Sequence, residues 1–209
     1  MTEHDERAEA NGWNDRYVEG RTGWDLGAAP PALLREITAA VERHAQRRVE
    51  APLRVLVPGC GRGHDALAWA RAGAEVVGMD FAPLAVQEAT ALAESNDLPV
   101  RYLQANVLEL PAELVGSFDL VWEQTCFCAI PLESRRGYAA AMTDALDEDG
   151  ELLGIFWNHG NEGGPPFDVT PDHVREAFSG LLVERARHAV EDSVPSRTPE
   201  FILRLGRGG

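Results

Sequence analysis

The sequence predicts a doubly wound α/β fold, in which helices cover both faces of a mostly parallel, seven-stranded β-sheet with one antiparallel strand near the C-terminus. Two observations carry this prediction. Short apolar, β-branched runs alternate with helical patterns from about residue 53 onward. These runs are almost continuously apolar, as expected of strands that are buried on both faces by crossover helices.

The first five predicted strands alternate with helices in chain order. RVLVPGC and EVVGMD, the first two, are rich in valine, which favours extended backbone. The helix between them would turn Leu67 and Trp69 inward. The strands are predicted at Arg54–Cys60, Glu75–Asp80, Val100–Asn106, Phe118–Gln124 and Glu151–Trp157, with helices at Asp65–Ala72, Ala82–Glu94 and Leu132–Leu146.

The C-terminal region departs from this alternation. Thr170–Gly180 is predicted to be helical, because a Thr cap precedes Pro171 in the first turn. Leu181–Val190 and Phe201–Gly206 are predicted strands with only a loop between them, so we expect them to be antiparallel. The Gly/Pro-rich loop Asn158–Pro166 follows a predicted strand end, where ligands of open α/β sheets bind, and is therefore a candidate lid.

The first 50 residues show no strand pattern. Trp13, Tyr17 and Trp24 lie in a polar, Gly-rich context, and a helix is predicted to start near Pro31. We expect one domain over residues 1–209, with residues 1–50 as an N-terminal helical lid or arm and residues 51–209 as the core. The aromatic side chains either pack the arm against the sheet or fold with it over a ligand.

The charge of the chain argues against two classes of partner. The sequence has 19 basic and 34 acidic residues, a formal net charge of −15 and a pI of about 4.7, and every basic residue is arginine. Such a surface repels phosphate backbones and anionic lipids, so we expect no nucleic-acid and no membrane partner. The expected partner is a small-molecule substrate, and we expect a monomer.

The cysteine count and the N-terminal sequence indicate a cytoplasmic protein. Three cysteines make a disulfide scaffold unexpected, and the Cys126/Cys128 pair lacks the second ligand pair of a zinc site. We therefore predict no metal, and we predict that both cysteines are packing residues. The N-terminus is acidic and polar, unlike a signal peptide, and no apolar run approaches the ~20 residues of a membrane helix.

A glycine-rich turn follows the first predicted strand. In Gly59-Cys60-Gly61-Arg62-Gly63 the glycines permit a tight turn and close approach of a ligand. The third glycine of the dinucleotide fingerprint would stand at position 64, which is His64. The pattern suits a nucleoside without pyrophosphate, whose ribose hydroxyls Asp80 could accept. An ordinary tight turn and a nicotinamide-dependent oxidoreductase are the alternatives.

Several segments together resemble a known family. VLVPGCGRGHDA, the VVGMD ending at Asp80, FDLVWEQTCFCAIP, GELLGIFW, EGGPPF and the N-terminal Trp13, Tyr17, Trp24 and Asp25 are similar to class I S-adenosylmethionine-dependent methyltransferases. More narrowly, they resemble the thiopurine S-methyltransferase superfamily and its thiol/halide/thiocyanate branch. The resemblance implies a Rossmann-like catalytic core, S-adenosylmethionine as cofactor and S-adenosylhomocysteine as product.

The resemblance also implies a set of cofactor contacts. Two positions depart from the family pattern: Asn106 stands where Asp or Ser is expected beside the adenine, and Gln124 stands where Tyr or Arg is expected. The implied cofactor-binding residues are Trp13, Tyr17, Trp24, Gly59, Gly61, Asp80, Asn106, Val107, Glu123 and Gln124.

The expected reaction is an in-line displacement by a small soft nucleophile, a thiol, halide, thiocyanate or thiopurine-like sulfur. Such anions need no dedicated base, because positioning in a dry pocket carries most of the catalysis, so we assign no catalytic acid or base. Tyr17, Gln124, Phe127 and Trp157 are the substrate-facing candidates. An O- or N-methyltransferase using His159 or Glu123 as base, and a non-catalytic S-adenosylmethionine-binding protein, remain alternatives.

Overall fold

The computed structural model describes residues 12–48 and 51–208 of the chain. Residues 1–11, 49, 50 and 209 lie outside this description. The predicted arm over residues 1–50 can therefore be compared with the structure only between residues 12 and 48.

The strands form one seven-stranded sheet in the order β3-β2-β1-β4-β5-β7-β6. Strands β1 to β5 are parallel, whereas β7 is antiparallel to both β5 and β6. The predicted fold class is confirmed, including the antiparallel strand near the C-terminus. The strands are β1 Arg54–Pro58, β2 Glu75–Asp80, β3 Val100–Gln104, β4 Phe118–Gln124, β5 Leu146–Trp157, β6 Val183–Ala189 and β7 Glu200–Gly206.

Six α-helices accompany the sheet in the described part of the chain, and none of them is long and apolar enough to cross a membrane. The predicted helix over Leu132–Leu146 is shorter than expected, because Leu146 instead pairs with Phe118 and opens β5. The helices are α1 over residues 12–18, α2 Pro31–Arg47, α3 His64–Arg71, α4 Pro83–Glu94, α5 Arg135–Ala145 and α6 Pro171–Ala177. Short 3₁₀ turns lie at Ala112–Leu114, Phe127–Ala129, Leu132–Ser134 and Pro195–Arg197.

Alternate residues of the central strands pack on opposite faces of the sheet. Val55 and Val57 of β1 pack with α2 and α3 on one face, while Leu56 packs with α5 on the other. Trp69 of α3 and Tyr138 of α5 are fully buried on these two faces. Burial of each large apolar side chain contributes roughly 1.5–3 kcal/mol, so both layers of helices are needed to cover the strands.

Arginine–carboxylate pairs join the strands at the amino edge of the sheet. Arg54, at the start of β1, donates from Nε to Asp119 of β4 at 2.9 Å and from an Nη atom to Asp147 of β5 at 2.8 Å. Arg48, next to the end of α2, binds the same two carboxylates. The opposite, carboxyl edge is therefore left for a site, as is usual for open α/β sheets.

Candidate active site

The carboxyl edge of the sheet borders a cavity of 440 Å³. Its walls come from the N-terminal arm, the glycine loop, the ends of β2, β4 and β5, and the turn before β7. Trp13, Tyr17, Trp24, Gly59, Asp80, Asn106, Val107 and Trp157 line it, so the structure brings together eight of the residues that sequence analysis singled out. Most of the lining is apolar or aromatic.

The glycine loop turns directly from β1 into α3. Gly59 has a φ of +58°, and a Cβ atom added to it would lie 2.8 Å from Cβ and Sγ of Cys126. Gly61 has a φ of +53°, and its added Cβ would lie 3.2 Å from the Tyr17 hydroxyl. These glycines are therefore needed for the backbone conformation and for close approach of protein side chains, whereas the sequence suggested close approach of a ligand.

Asp80 ends β2 and holds the glycine loop. One carboxylate oxygen accepts the Gly61 N–H at 2.9 Å and the other accepts the Ala82 N–H at 2.9 Å. Burial raises the pKa of Asp80 above its ordinary value, against the opposing effect of these hydrogen bonds. A carboxylate has about four lone-pair sites, so Asp80 can still accept a ribose hydroxyl.

The aromatic side chains of the arm form one cluster over the cavity. The Trp24 ring lies 5.5 Å from that of Trp13 and 5.6 Å from that of Tyr17, measured between centroids, in edge-to-face geometry. Arg62 of the glycine loop binds the arm through Asp25 at 2.5 Å and Thr22 at 2.9 Å. These π faces can attract a sulfonium cation, an interaction worth up to about 2 kcal/mol when desolvated.

Asn106 and Val107 line the cavity after β3. The Asn106 side-chain oxygen accepts the Leu108 N–H at 3.0 Å, while its Nδ2 is buried and has no hydrogen-bond partner among the described residues. A buried amide donor without a partner costs free energy unless a ligand pairs with it. An adenine ring nitrogen is a suitable acceptor.

Two of the predicted site residues, Glu123 and Phe127, line neither this cavity nor the smaller one beside it. Glu123 is 1% exposed and accepts the backbone N–H groups of Cys126 and Phe127 and the hydroxyl of Tyr138. Phe127 is fully buried between Tyr138, Phe156 and Phe178. The structure therefore gives no support to the predictions that Glu123 contacts the cofactor and that Phe127 faces the acceptor.

Gln124 and Gly61 border a smaller cavity of 60 Å³ next to the main one. The Gln124 amide lies between two groups of opposite charge. In the orientation that satisfies both, its nitrogen donates to Asp65 at 2.8 Å and its oxygen accepts from Arg197 at 3.2 Å. Burial raises the pKa of Asp65 to about 6. Arg197 lines both cavities and donates to the Trp24 carbonyl.

Arg197 is the main residue that sequence reasoning missed. It lies in the 3₁₀ turn before β7 and is 5% exposed. Because β7 is antiparallel to β5, the turn that precedes β7 lies at the carboxyl edge of the sheet. The antiparallel pairing predicted from the sequence joined only the two C-terminal strands, so it did not place this turn beside β5. Arg16 also lines the cavity, with its guanidinium 4.4 Å from the Trp13 ring.

The three cysteines are buried, as predicted for Cys126 and Cys128. Burial raises the pKa of the Cys126 thiol well above its ordinary value and that of Cys128 to about 12. His159 contacts the Trp157 ring, with 4.6 Å between centroids, and is not among the residues that line the cavity. The described residues contain no cluster of His, Cys, Asp and Glu that could hold a metal ion.

S-adenosylmethionine fits this arrangement of residues. The free lone pairs of Asp80 suit the ribose, the unpartnered Nδ2 of Asn106 suits the adenine, and the aromatic faces of Trp13, Tyr17 and Trp24 suit the sulfonium. When bound, this cofactor supplies an activated methyl group.

Comparisons with known proteins agree with this site. The thiopurine S-methyltransferase family model matches residues 8–200. Thiocyanate methyltransferase 1 of Arabidopsis thaliana is 33% identical over 192 residues, which cover 87% of this chain and 79% of the plant protein. Thiopurine S-methyltransferase of Gluconobacter oxydans is 27% identical, with 93% of each chain covered.

Among solved structures, Burkholderia thailandensis 1,6-didemethyltoxoflavin-N1-methyltransferase, with bound 1,6-didemethyltoxoflavin and S-adenosylhomocysteine, has the same fold. Its TM-score is 0.72 at 20% identity, with 100% of this chain and 92% of that chain covered. The family match spans most of the chain, including the glycine loop and the turn that carries Arg197. The chain therefore belongs to the thiopurine S-methyltransferase family and is an S-adenosylmethionine-dependent methyltransferase.

Proposed function

We propose that the enzyme methylates small anionic nucleophiles, namely thiolates, hydrosulfide, thiocyanate and soft halides such as iodide. The observation that carries this proposal is the set of charged side chains that line the cavity. Its charged lining residues within the described chain are Arg16, Arg197 and Asp80. Two guanidinium groups attract an anionic acceptor, whereas Asp80 is already engaged with the glycine loop.

Among the described residues that line the cavity, none is placed as a general base on the acceptor side. Neither Glu123 nor His159 is among the residues that line the cavity, and His159 instead contacts the Trp157 ring edge-on. A phenol or an ammonium group would have to lose a proton during the reaction, but iodide and thiocyanate carry none. A thiol ionises by itself near pH 8.5, and only the thiolate attacks. The lack of a base among the described lining residues therefore favours soft anions over oxygen or nitrogen acceptors.

The chain contributes to such a reaction by positioning and desolvation. The arm covers the cavity through its aromatic cluster, and apolar side chains such as Ile130 and Val107 exclude water. Negative and positive charge cancel as the acceptor meets the sulfonium, so a dry site favours the transition state over the separated ions. Holding the two partners in line at about 3–3.5 Å supplies several kcal/mol.

The names of the relatives support the same proposal, because thiocyanate and thiopurine acceptors are both sulfur nucleophiles. Trp13, Tyr17, Trp24, Gly59, Asp80, Asn106 and Val107 are proposed as cofactor contacts, with Gly61 acting through Asp80. Tyr17, Trp157 and Arg197 are proposed on the acceptor side, and Gln124 as the residue that orients Arg197.

The test is headspace detection of methyl iodide, methyl thiocyanate and methylated thiols, measured alongside formation of S-adenosylhomocysteine. We expect turnover with iodide, thiocyanate and small thiols, and the slowest turnover with chloride. With thiols the rate should rise with pH toward about 8.5. Turnover on phenols or amines, with none on any of these anions, would refute the proposed acceptor class.

A matched pair of variants tests the role of Arg197. Arg197→Gln should raise the KM for thiocyanate by about tenfold or more, because a charge-assisted contact is lost. Arg136→Gln is the control, since Arg136 binds the carbonyls of Ala177 and Ser179 away from the cavity. Equal KM values for the two variants would remove Arg197 from acceptor binding.

We also propose that residues 1–209 form a single methyltransferase domain and that the enzyme works as a cytoplasmic monomer without nucleic-acid or membrane partners. The net charge of −15 supports this, because like-charged copies repel one another. Light scattering coupled to size exclusion should give a mass near 22.8 kDa. A mass of twice that value would contradict the monomer.

A further inference from the structure

The turn after β4 forms one wall of the cavity and has an unfavourable backbone. Thr125 has a φ of +59°, in the left-handed region that β-branched residues rarely adopt. Thr125, Cys126 and Cys128 all line the cavity. Cys126 also packs directly against Gly59 of the glycine loop. Some other interaction must hold this turn in place.

Glu123 supplies that interaction from the side of the turn that faces the protein core. Its Oε1 accepts the N–H of Cys126 at 3.0 Å and the N–H of Phe127 at 2.8 Å. Its Oε2 accepts the hydroxyl of Tyr138, which is fully buried on α5. One side chain therefore satisfies two backbone donors of the strained turn and ties the turn to a helix of the core.

The groups that face Glu123 come from three elements. Helix α5 contributes the Tyr138 hydroxyl and the positive charge of Arg135, and the turn contributes the thiols of Cys126 and Cys128. Strand β5 contributes Gly154, where an added Cβ would lie 2.8 Å from the Glu123 Cβ. Burial raises the pKa of Glu123 from 4.5 to about 7, against the hydrogen bonds that favour the carboxylate. Both protonation states of Glu123 are therefore populated at pH values near 7.

We propose that Glu123 is a positioning residue whose ionised carboxylate holds the cavity wall in the geometry for methyl transfer, so that its protonation slows transfer even to an acceptor that carries no proton. This inference rests on the proposed function, because it uses anionic acceptors. Hydrogen bonds to a carboxylate are about twice as strong as those to a neutral carbonyl, which is why the neutral acid holds the turn less firmly.

Iodide is the acceptor that isolates this effect, since it does not titrate. At saturating S-adenosylmethionine, turnover of iodide by the unmodified enzyme should fall by about tenfold as the pH is lowered through about 7. Glu123→Gln keeps an oxygen that can accept both N–H groups but has no charge. It should give a pH-independent rate equal to the lower, acidic plateau. Tyr138→Phe removes one donor to the carboxylate, so the inflection should move to higher pH.

The stability of the Glu123→Gln variant distinguishes a positioning role of Glu123 from a merely structural one. Because the folded-state pKa of Glu123 is raised, its ionisation destabilises the fold progressively as the pH rises from 4.5 to about 7. Glu123→Gln should therefore be at least as stable as the unmodified enzyme at pH 8, yet about tenfold slower. Glu151→Gln is the matched control, because Glu151 is a buried glutamate of β5 paired with Arg43 and Arg204 away from the cavity. Its iodide profile should follow that of the unmodified enzyme.

Four results would overturn the inference. The first is an iodide profile of the unmodified enzyme that stays flat through pH 7. The second is a Glu123→Gln variant whose loss of rate follows a loss of folded protein. The third is a variant that transfers normally to iodide but not to thiols, since Glu123 would then be a proton acceptor. If the unmodified enzyme methylates no anion at all, the proposed function fails first and this inference fails with it.

Discussion

Carboxylates at the two edges of the sheet have opposite surroundings. At the amino edge, Asp119 is buried but bonded by Arg54, and these bonds outweigh burial and lower its pKa. At the carboxyl edge, burial raises the pKa of Asp65, Asp80 and Glu123, and none of the three forms an ion pair with any described residue. The unpartnered donor of Asn106 lies at the same edge.

The amino edge therefore stabilises the fold, whereas the carboxyl edge holds the polar groups that can bind ligands. Paired charges at the amino edge tie α2, β1, β4 and β5 together. At the carboxyl edge, burial of the Asp80 charge and of the Asn106 Nδ2, which has no partner among the described residues, costs free energy that a bound cofactor can compensate. Substitutions at the two edges should therefore separate effects on stability from effects on binding.

The largest expected effect comes from removing residues 1–25. The aromatic cluster of Trp13, Tyr17 and Trp24 would be lost, but the sheet would keep its two core clusters. We expect a folded protein without measurable turnover, because the cavity would be open to water. Circular dichroism and the S-adenosylhomocysteine assay check this. Full activity of the truncated enzyme would show that the arm is not a lid.

The next largest effect is expected from Asp80→Ala. Loss of charge-assisted hydrogen bonds to the ribose, and of the anchor for Gly61, should weaken S-adenosylmethionine binding by roughly 1.5–3 kcal/mol. Titration calorimetry on the folded variant measures this. Unchanged affinity would mean that Asp80 holds only the loop.

Arg54→Met tests the amino edge. The variant should lose about 2 kcal/mol of unfolding free energy, less than a fully buried pair because the Arg54 side chain is 32% exposed. Since the folded-state pKa of Asp119 is lowered, the stability that the pair contributes is present above about pH 4 and is lost as the pH falls below it. Denaturant melts at pH 7 and pH 3 measure this. A change in cofactor affinity beyond twofold would contradict the separation of the edges.

The smallest effect is expected from Asn106→Asp. The new side chain can still accept the Leu108 N–H but offers no donor to the adenine, so cofactor affinity should fall by about 1 kcal/mol. Competition with S-adenosylhomocysteine measures the change. Tighter binding would show that the amide nitrogen does not face the ligand.

The features that could be predicted from the sequence are those that a local residue pattern determines. The strand runs gave the sheet, the glycine turn and Asp80 followed from their places at strand ends, and the arm aromatics stood out because no strand pattern surrounds them. Phe127 lies away from the cavity because the positive φ of Thr125 redirects the chain after β4. Glu123 precedes this turn and lies on the same face of β4 as Val121, which packs against α5. Arg197 was missed because it reaches the cavity only through the pairing of β7 with β5, a contact that no local pattern encodes.

Burial protects the cysteines of this enzyme from methylation by S-adenosylmethionine. Sulfonium methyl donors alkylate exposed nucleophiles, and the usual targets in proteins are thiolates and unprotonated amines. The sequence has no lysine, and Cys60, Cys126 and Cys128 are buried with raised pKa values that keep them as thiols. Since only the thiolate attacks, Cys126 and Cys128 can line the cavity without becoming methylated themselves. The three cysteines thus present no competing thiolate to the alkylating cofactor.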